Sequence, residues 1–161
     1  MIKIALAALL AFFIANPAIA GDMYAGMKLG KSRYSMPNTN STPTGFGIFG
    51  GYAFNPDFAM EAGYTDLGNI GGNNVSATDF SALLFYPGNE PFAAYAKLSY
   101  ASTTWKVPGQ AQRNSSFSQG LGFRYDASAS INIRFAWDRY FVGKPDVTNV
   151  DLYYLAGIYK F

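Results

Sequence analysis

The chain has 161 residues, a formal net charge of +2, no cysteine and no histidine. Aromatic residues make up 17% and charged residues only 14%, against about 25% charged in ordinary soluble domains. A nearly neutral chain without a basic run leaves no electrostatic footprint for nucleic acid. The missing cysteines exclude a disulfide framework and thiolate metal sites.

The first twenty residues read as a Sec signal peptide. Lys3 supplies the positive start, Ile4 to Ala15 is an apolar run, and Ala18-Ile19-Ala20 precedes Gly21 as a small-x-small cleavage site. The run is shorter than the roughly 20 residues a spanning helix needs. Cleavage is therefore expected between Ala20 and Gly21, leaving one domain over 21–161. That remainder has no long apolar run, many glycines, many aromatics and few charges, a composition that fits strands crossing a membrane.

Strand 1 is expected at Asp22 to Ser35, where Met23, Ala25, Met27 and Leu29 alternate with Tyr24, Gly26, Lys28, Gly30 and Ser32. Side chains alternate across a strand, so period two separates an apolar face from a small or polar one. Met36 to Thr44 is polar and broken by proline, a loop. Gly45 to Gly68 predicts two strands joined by a turn at Asn55-Pro56-Asp57. Phe46, Ile48, Tyr52 and Phe54 share one face of the first, and Phe58, Met60, Ala62 and Tyr64 one face of the second. Asn69 to Asn74 reads as a glycine and asparagine loop.

Strand 4 is expected over Val75 to Tyr86 and strand 5 over Phe92 to Trp105, separated by the turn Pro87 to Pro91. Lys106 to Asn114 reads as a polar loop before strand 6, Ser115 to Tyr125. A short turn, Asp126 to Ser130, leads to strand 7, Ile131 to Tyr140. A loop over Phe141 to Val150 precedes strand 8, Asp151 to Phe161. The predicted fold is all-β, an eight-stranded antiparallel up-and-down transmembrane β-barrel. Connections alternate long and short, as in outer-membrane barrels with short periplasmic turns and longer external loops. The rival is a soluble, secreted, lipocalin-like binding barrel with the apolar faces inward. The polar rows of glycine, serine and alanine suit a crowded interior better than a solvated exterior.

With the aromatic rows facing lipid, the inward row holds Lys28, Glu61, Asp79, Lys97, Arg124, Arg134, Asp138 and Lys160. Eight strands leave an interior that side chains just fill, and buried charges must be paired. A lumen ion-pair network centred on Glu61 and Arg134, joined by Lys97 and Asp138, is the expectation. Tyr86, Trp105, Trp137, Tyr140, Tyr153 and Tyr159 lie near strand ends and are expected to form interfacial girdles. The chain ends Tyr159-Lys160-Phe161, with Tyr159 and Phe161 on one face, which fits the terminal strand read by barrel assembly machinery.

Tyr24-Ala25-Gly26-Met27-Lys28-Leu29-Gly30-Lys31-Ser32-Arg33-Tyr34 resembles the first strand of the OmpA-type eight-stranded outer-membrane barrels. Phe49-Gly50-Gly51-Tyr52, Asn55-Pro56 and Glu61-x-Gly63-Tyr64-x-x-Leu67-Gly68 resemble the second and third strands, Tyr95-Ala96-Lys97-Leu98 the fifth, and Tyr159-x-Phe161 the eighth. The resemblance covers essentially all of 21–161. It implies a Gram-negative outer-membrane location, contact with lipid and lipopolysaccharide, and a structural or adhesive role through surface loops. The alternative is a small gated pore. The periplasmic peptidoglycan-binding domain of better-known members is not expected here, and with it no tethering role. In the family, glutamates with lysine and arginine plug or gate the lumen. Glu61 and Arg134 match that network, but Leu83 stands where the family has lysine and Gly122 where it has glutamate.

Enzymes of this membrane generally rely on a histidine base, and this chain has none. No catalytic, metal or cofactor site is expected.

Overall fold

The computed structural model describes residues 21–34, 41–70, 72–87, 91–107, 110–142 and 149–161. The expected signal peptide at 1–20, and parts of the connections expected around 36–44, 87–91, 106–114 and 141–150, lie outside them.

Eight strands follow one another: β1 (Asp22–Tyr34), β2 (Thr44–Asn55), β3 (Phe58–Ile70), β4 (Asn73–Pro87), β5 (Phe92–Val107), β6 (Gln110–Asp126), β7 (Ile131–Phe141) and β8 (Asn149–Lys160). Each pairs antiparallel with its sequence neighbours, and β1 pairs with β8 to close the barrel. The closing seam runs from Tyr24↔Lys160 to Tyr34↔Val150. The Phe161 N–H extends it by donating to the Met23 carbonyl at 2.9 Å. Closure satisfies every ladder position that an open sheet would leave at an edge.

The alternation in the sequence becomes inside and outside. Met27, Leu29, Phe46, Ile48, Phe80, Leu84, Leu98, Phe117, Leu121, Phe123, Phe135 and Leu155 all stand on the exterior, exposed. Lys28, Glu61, Asp79, Lys97, Arg134 and Asp138 are all buried. This is the reverse of a soluble binding barrel. A continuous apolar exterior far exceeds the few hundred Å² a soluble monomer leaves exposed. It matches the lipid-facing band of a membrane barrel.

Several strands run further than expected. β3 continues to Ile70 and β4 starts at Asn73, so most of the expected Asn69–Asn74 loop is ladder. A bulge between Asp66 and Gly68 shifts the phase there. Gly68 sits at φ +93, a conformation that glycine adopts without the penalty of a Cβ, and its N–H donates to Asp66 Oδ1 at 2.8 Å. Likewise β5 and β6 reach Val107 and Gln110, extending a hairpin through the expected loop at Lys106 to Asn114. Polar sequence signalled departure from lipid, and the ladder simply continues beyond it. The Asn55-Pro56-Asp57 turn is closed by the Asp57 N–H donating to Asn55 Oδ1 at 2.9 Å.

The two rims differ. One, the terminal rim, carries Gly21, Phe161, the ends of β2, β4 and β6 and the starts of β3, β5 and β7. The other, the loop rim, carries the ends of β1, β3, β5 and β7 and the starts of β2, β4, β6 and β8.

Candidate functional site: the barrel lumen

The lumen is layered. Nearest the loop rim lies an apolar plug. Tyr34, Leu67, Val75, Trp105, Val142, Val150 and Leu152 are all buried there. Tyr34 and Trp105 meet edge to face at 6.3 Å, and the Tyr34 hydroxyl donates to the Leu67 carbonyl at 3.1 Å. Leu67 is turned inward beside the β3 bulge that ends at Gly68.

Below the plug sits a four-charge cluster. Lys97 on β5 bridges Asp138 on β7 at 3.0 Å and Asp79 on β4 at 3.2 Å. Lys28 on β1 approaches Asp138 at 3.7 Å. Lys28 also donates to the Tyr140 hydroxyl at 3.3 Å, and Ser81 donates to Asp79 at 2.7 Å. The hydroxyls of Tyr140 and Tyr154 point at Asp138, each at 3.4 Å. Two cations and two anions balance, as burial demands.

Nearer the terminal rim is a second, separate pair. Arg134 on β7 donates to Glu61 on β3, from the opposite wall. The Tyr24 hydroxyl donates to the same Glu61 oxygen at 2.9 Å. Four rings surround the guanidinium: Tyr24 at 5.3 Å, Tyr95 at 5.4 Å, Phe85 at 5.6 Å and Phe49 at 5.7 Å from their centroids. Ring faces are electronegative, so the cage compensates a cation withdrawn from water.

Small residues make room for these groups. Lys28 lies between Gly47 and Ala156 in the register, and Gly120 lies between Lys97 and Asp138. A Cβ at Gly47 would sit 2.7 Å from Lys28 Cε. At Gly122 it would sit 2.6 Å from the Tyr95 ring and 2.7 Å from the Ala136 Cβ. Tyr95 thus fills the space beside Gly122, the position matching the family's glutamate.

The expected network is therefore two clusters rather than one. Glu61 pairs with Arg134, while Lys97 and Asp138 belong with Lys28 and Asp79. Arg124 joins neither. It lies at the terminal rim, 3.3 Å from Asp126 and over the Phe85 ring at 4.5 Å. Lys160 reaches Asp126 at 4.0 Å. Arg124 and Lys160 border a cavity of about 300 Å³ that opens at the terminal rim and is also lined by Tyr24, Asn132 and Arg134. Both amide atoms of the buried Asn132 lack a partner among the described residues.

Two expected girdle residues are corrected. Trp105 and Tyr140 are buried in the lumen, because each has the inward parity of its strand. Tyr86, Tyr153 and Tyr159 are exposed on the exterior, and Trp137 is partly exposed there. The cage residues Tyr24, Phe85 and Tyr95 were the ones sequence reasoning passed over. Their signal was parity: Tyr24 alternates in phase with Lys28 on β1, Phe85 with Asp79 on β4 and Tyr95 with Lys97 on β5. Tyr159 and Phe161 share the exterior face at the closing seam.

The family model for the outer membrane protein beta-barrel domain matches residues 4–156. The chain belongs to that family. Solved structures of similar fold agree. Neisserial surface protein A superposes with a TM-score of 0.68 at 16% identity, covering 86% of this chain and 97% of that one. The N-terminal barrel of Pseudomonas aeruginosa OprF gives 0.63 at 14%, covering 88% and 99%. Yersinia pestis Ail gives 0.61 at 20%, covering 88% and 99%, and has also been solved with the heparin analogue sucrose octasulfate. No curated protein matches the chain. Family and neighbours together indicate a Gram-negative outer-membrane β-barrel.

Proposed function

We propose that this outer-membrane barrel is a non-conducting structural and interaction protein, acting in envelope integrity, adhesion or host-factor binding through its loop rim. The observation that carries this reading is the apolar plug. A path entering the cavity at the terminal rim meets caged Arg134, then the four-charge cluster, then Tyr34, Leu67, Val75 and Trp105. A lumen filled in this way leaves the exterior and the loop rim as the surfaces available to partners. The heparin-analogue complex of Ail makes a polyanionic host ligand a reasonable class to try. Absence of any histidine weighs against acid–base catalysis.

In this reading the terminal rim faces the periplasm, the chain is cut after Ala20, and Tyr159 and Phe161 form the signal for the assembly machinery. The second reading, a small gated pore, draws on the four-charge cluster and the terminal cavity, and requires the plug to move. Planar-bilayer recordings of the purified protein test the choice. Silent bilayers at all holding potentials are expected. Reproducible unitary conductance would overturn the non-conducting reading.

A further inference from the structure

The cavity at the terminal rim has two unlike walls. Arg124 on β6, Asn132 on β7 and Lys160 on β8 line one side. Ala53 on β2, Ala59 on β3 and Phe85 on β4 line the other, so β3 faces β7 across the opening. The two alanines are what leave the space, because a larger inward side chain at either position would fill it. At about 300 Å³ the cavity stands at the small end of the range for ligand pockets.

Asn132 is the unexplained group on the polar wall. Its side chain belongs to a residue only 1% exposed, yet neither its Nδ2 donor nor its Oδ1 acceptor has a hydrogen-bond partner among the described residues. A buried amide left in that state is costly. The terminal torsion of an asparagine is broad, so the amide can turn onto a ligand in the cavity without changing its place on β7.

The neighbouring charges do not satisfy one another. Asp126 Oδ1 lies 3.3 Å from Arg124 Nε and 4.0 Å from Lys160 Nζ, but that oxygen and that nitrogen both lack a hydrogen bond among the described residues. One carboxylate facing two cations leaves one positive charge over. Arg134 adds none, because Glu61 pairs with it. Asp22 also lines the cavity but is exposed, where solvent screens its charge.

We propose that this cavity is a binding site for a small molecule carrying a carboxylate and a secondary amide, of the acylated amino acid or acylated dipeptide class. The surplus positive charge matches a monoanion, and a guanidinium beside an ammonium suits a carboxylate. Asn132 offers one donor function and one acceptor function, and an amide returns one of each. Ala53, Ala59 and Phe85 receive the small apolar side chains. The site is independent of the loop rim, and binding in detergent reports it whether or not the lumen conducts.

The test titrates the purified full chain, in a non-ionic detergent, with N-acetyl-alanyl-alanine and with the same compound amidated at its carboxyl end. Calorimetry should show saturable binding of one acid per barrel, with the amide weaker by about tenfold or more. Asn132→Leu keeps the bulk of the side chain and removes its polar atoms. It should retain the heat-modifiable band and lose about tenfold or more in affinity for the acid. Arg124→Gln, at the more exposed rim, should bring the acid and the amide to similar affinities. No saturable heat with the wild type would show a cavity that holds solvent alone and would overturn the site. Equal wild-type affinities for acid and amide, or acid binding unchanged in both variants, would overturn it too. If Asn132→Leu fails to fold, an unchanged preference for the acid in Arg124→Gln overturns the site by itself.

Discussion

Arg134 and Glu61 join β7 to β3 across the lumen, and four aromatic rings enclose the guanidinium. The pair is buried at both ends, so its two halves are not equivalent to a surface ion pair. Removing one partner leaves an uncompensated buried charge. Glu61→Ala is expected to lower stability by about 3–5 kcal/mol. Glu61→Leu combined with Arg134→Met should cost clearly less than the sum of the single changes. Urea unfolding of detergent-folded protein measures the coupling, and strict additivity would mean the pair does not act as a unit.

The plug makes a separate prediction. Leu67→Ser with Trp105→Ala removes bulk and apolarity at the loop rim while leaving both charge clusters intact. The variant should conduct in planar bilayers where the wild type is silent. A silent variant that still folds would place the barrier at the charged layers.

Gly122 is committed to Tyr95. Adding one methyl group, in Gly122→Ala, is expected to destabilise by about 1–3 kcal/mol through overpacking. The penalty should fall in a Tyr95→Ala background, where the opposing ring is gone. Denaturant midpoints of the four variants give the answer, and an unchanged penalty would show that the methyl is resisted by Ala136 or the backbone instead.

The two tryptophans should report different surroundings. Trp137 lies on the exterior and Trp105 in the lumen. Brominated lipids are expected to quench the fluorescence of Trp105→Phe, which retains Trp137, far more than that of Trp137→Phe. Equal quenching would place both rings at lipid.

Phe161 is 77% exposed and its backbone, not its ring, closes the seam. Phe161→Ala should therefore refold in detergent with nearly unchanged stability, yet reach the outer membrane of cells at a reduced level. A parallel loss in both assays would make the ring a structural element rather than an assembly signal.

Strand number, order and facing were legible because lipid and lumen impose a strict two-residue period on Met27, Leu29, Phe46 and Ile48 against Lys28 and Gly47. Strand ends were less so. A ladder runs beyond the lipid into water, where Asn73, Gln110 and Gln112 read as loop although their backbones remain paired. Charge identity marked Glu61, Arg134, Lys97 and Asp138 as lumen groups, but not which would meet. Pairing depends on reach across the barrel, and reach depends on the space left by Gly47, Gly120 and Gly122. The aromatic cage hid for the same reason that Trp105 was taken for girdle: residue type suggests an interface, and only parity assigns the ring to the lumen.

One measurement bears most directly on a closed barrel with its apolar rows in lipid. Detergent-extracted protein from fractionated cells is run on SDS gels with and without boiling. A closed barrel resists SDS until heated, so a faster-migrating unboiled band in the outer-membrane fraction is the predicted result. A soluble protein, released without detergent and showing no mobility shift, would contradict the account.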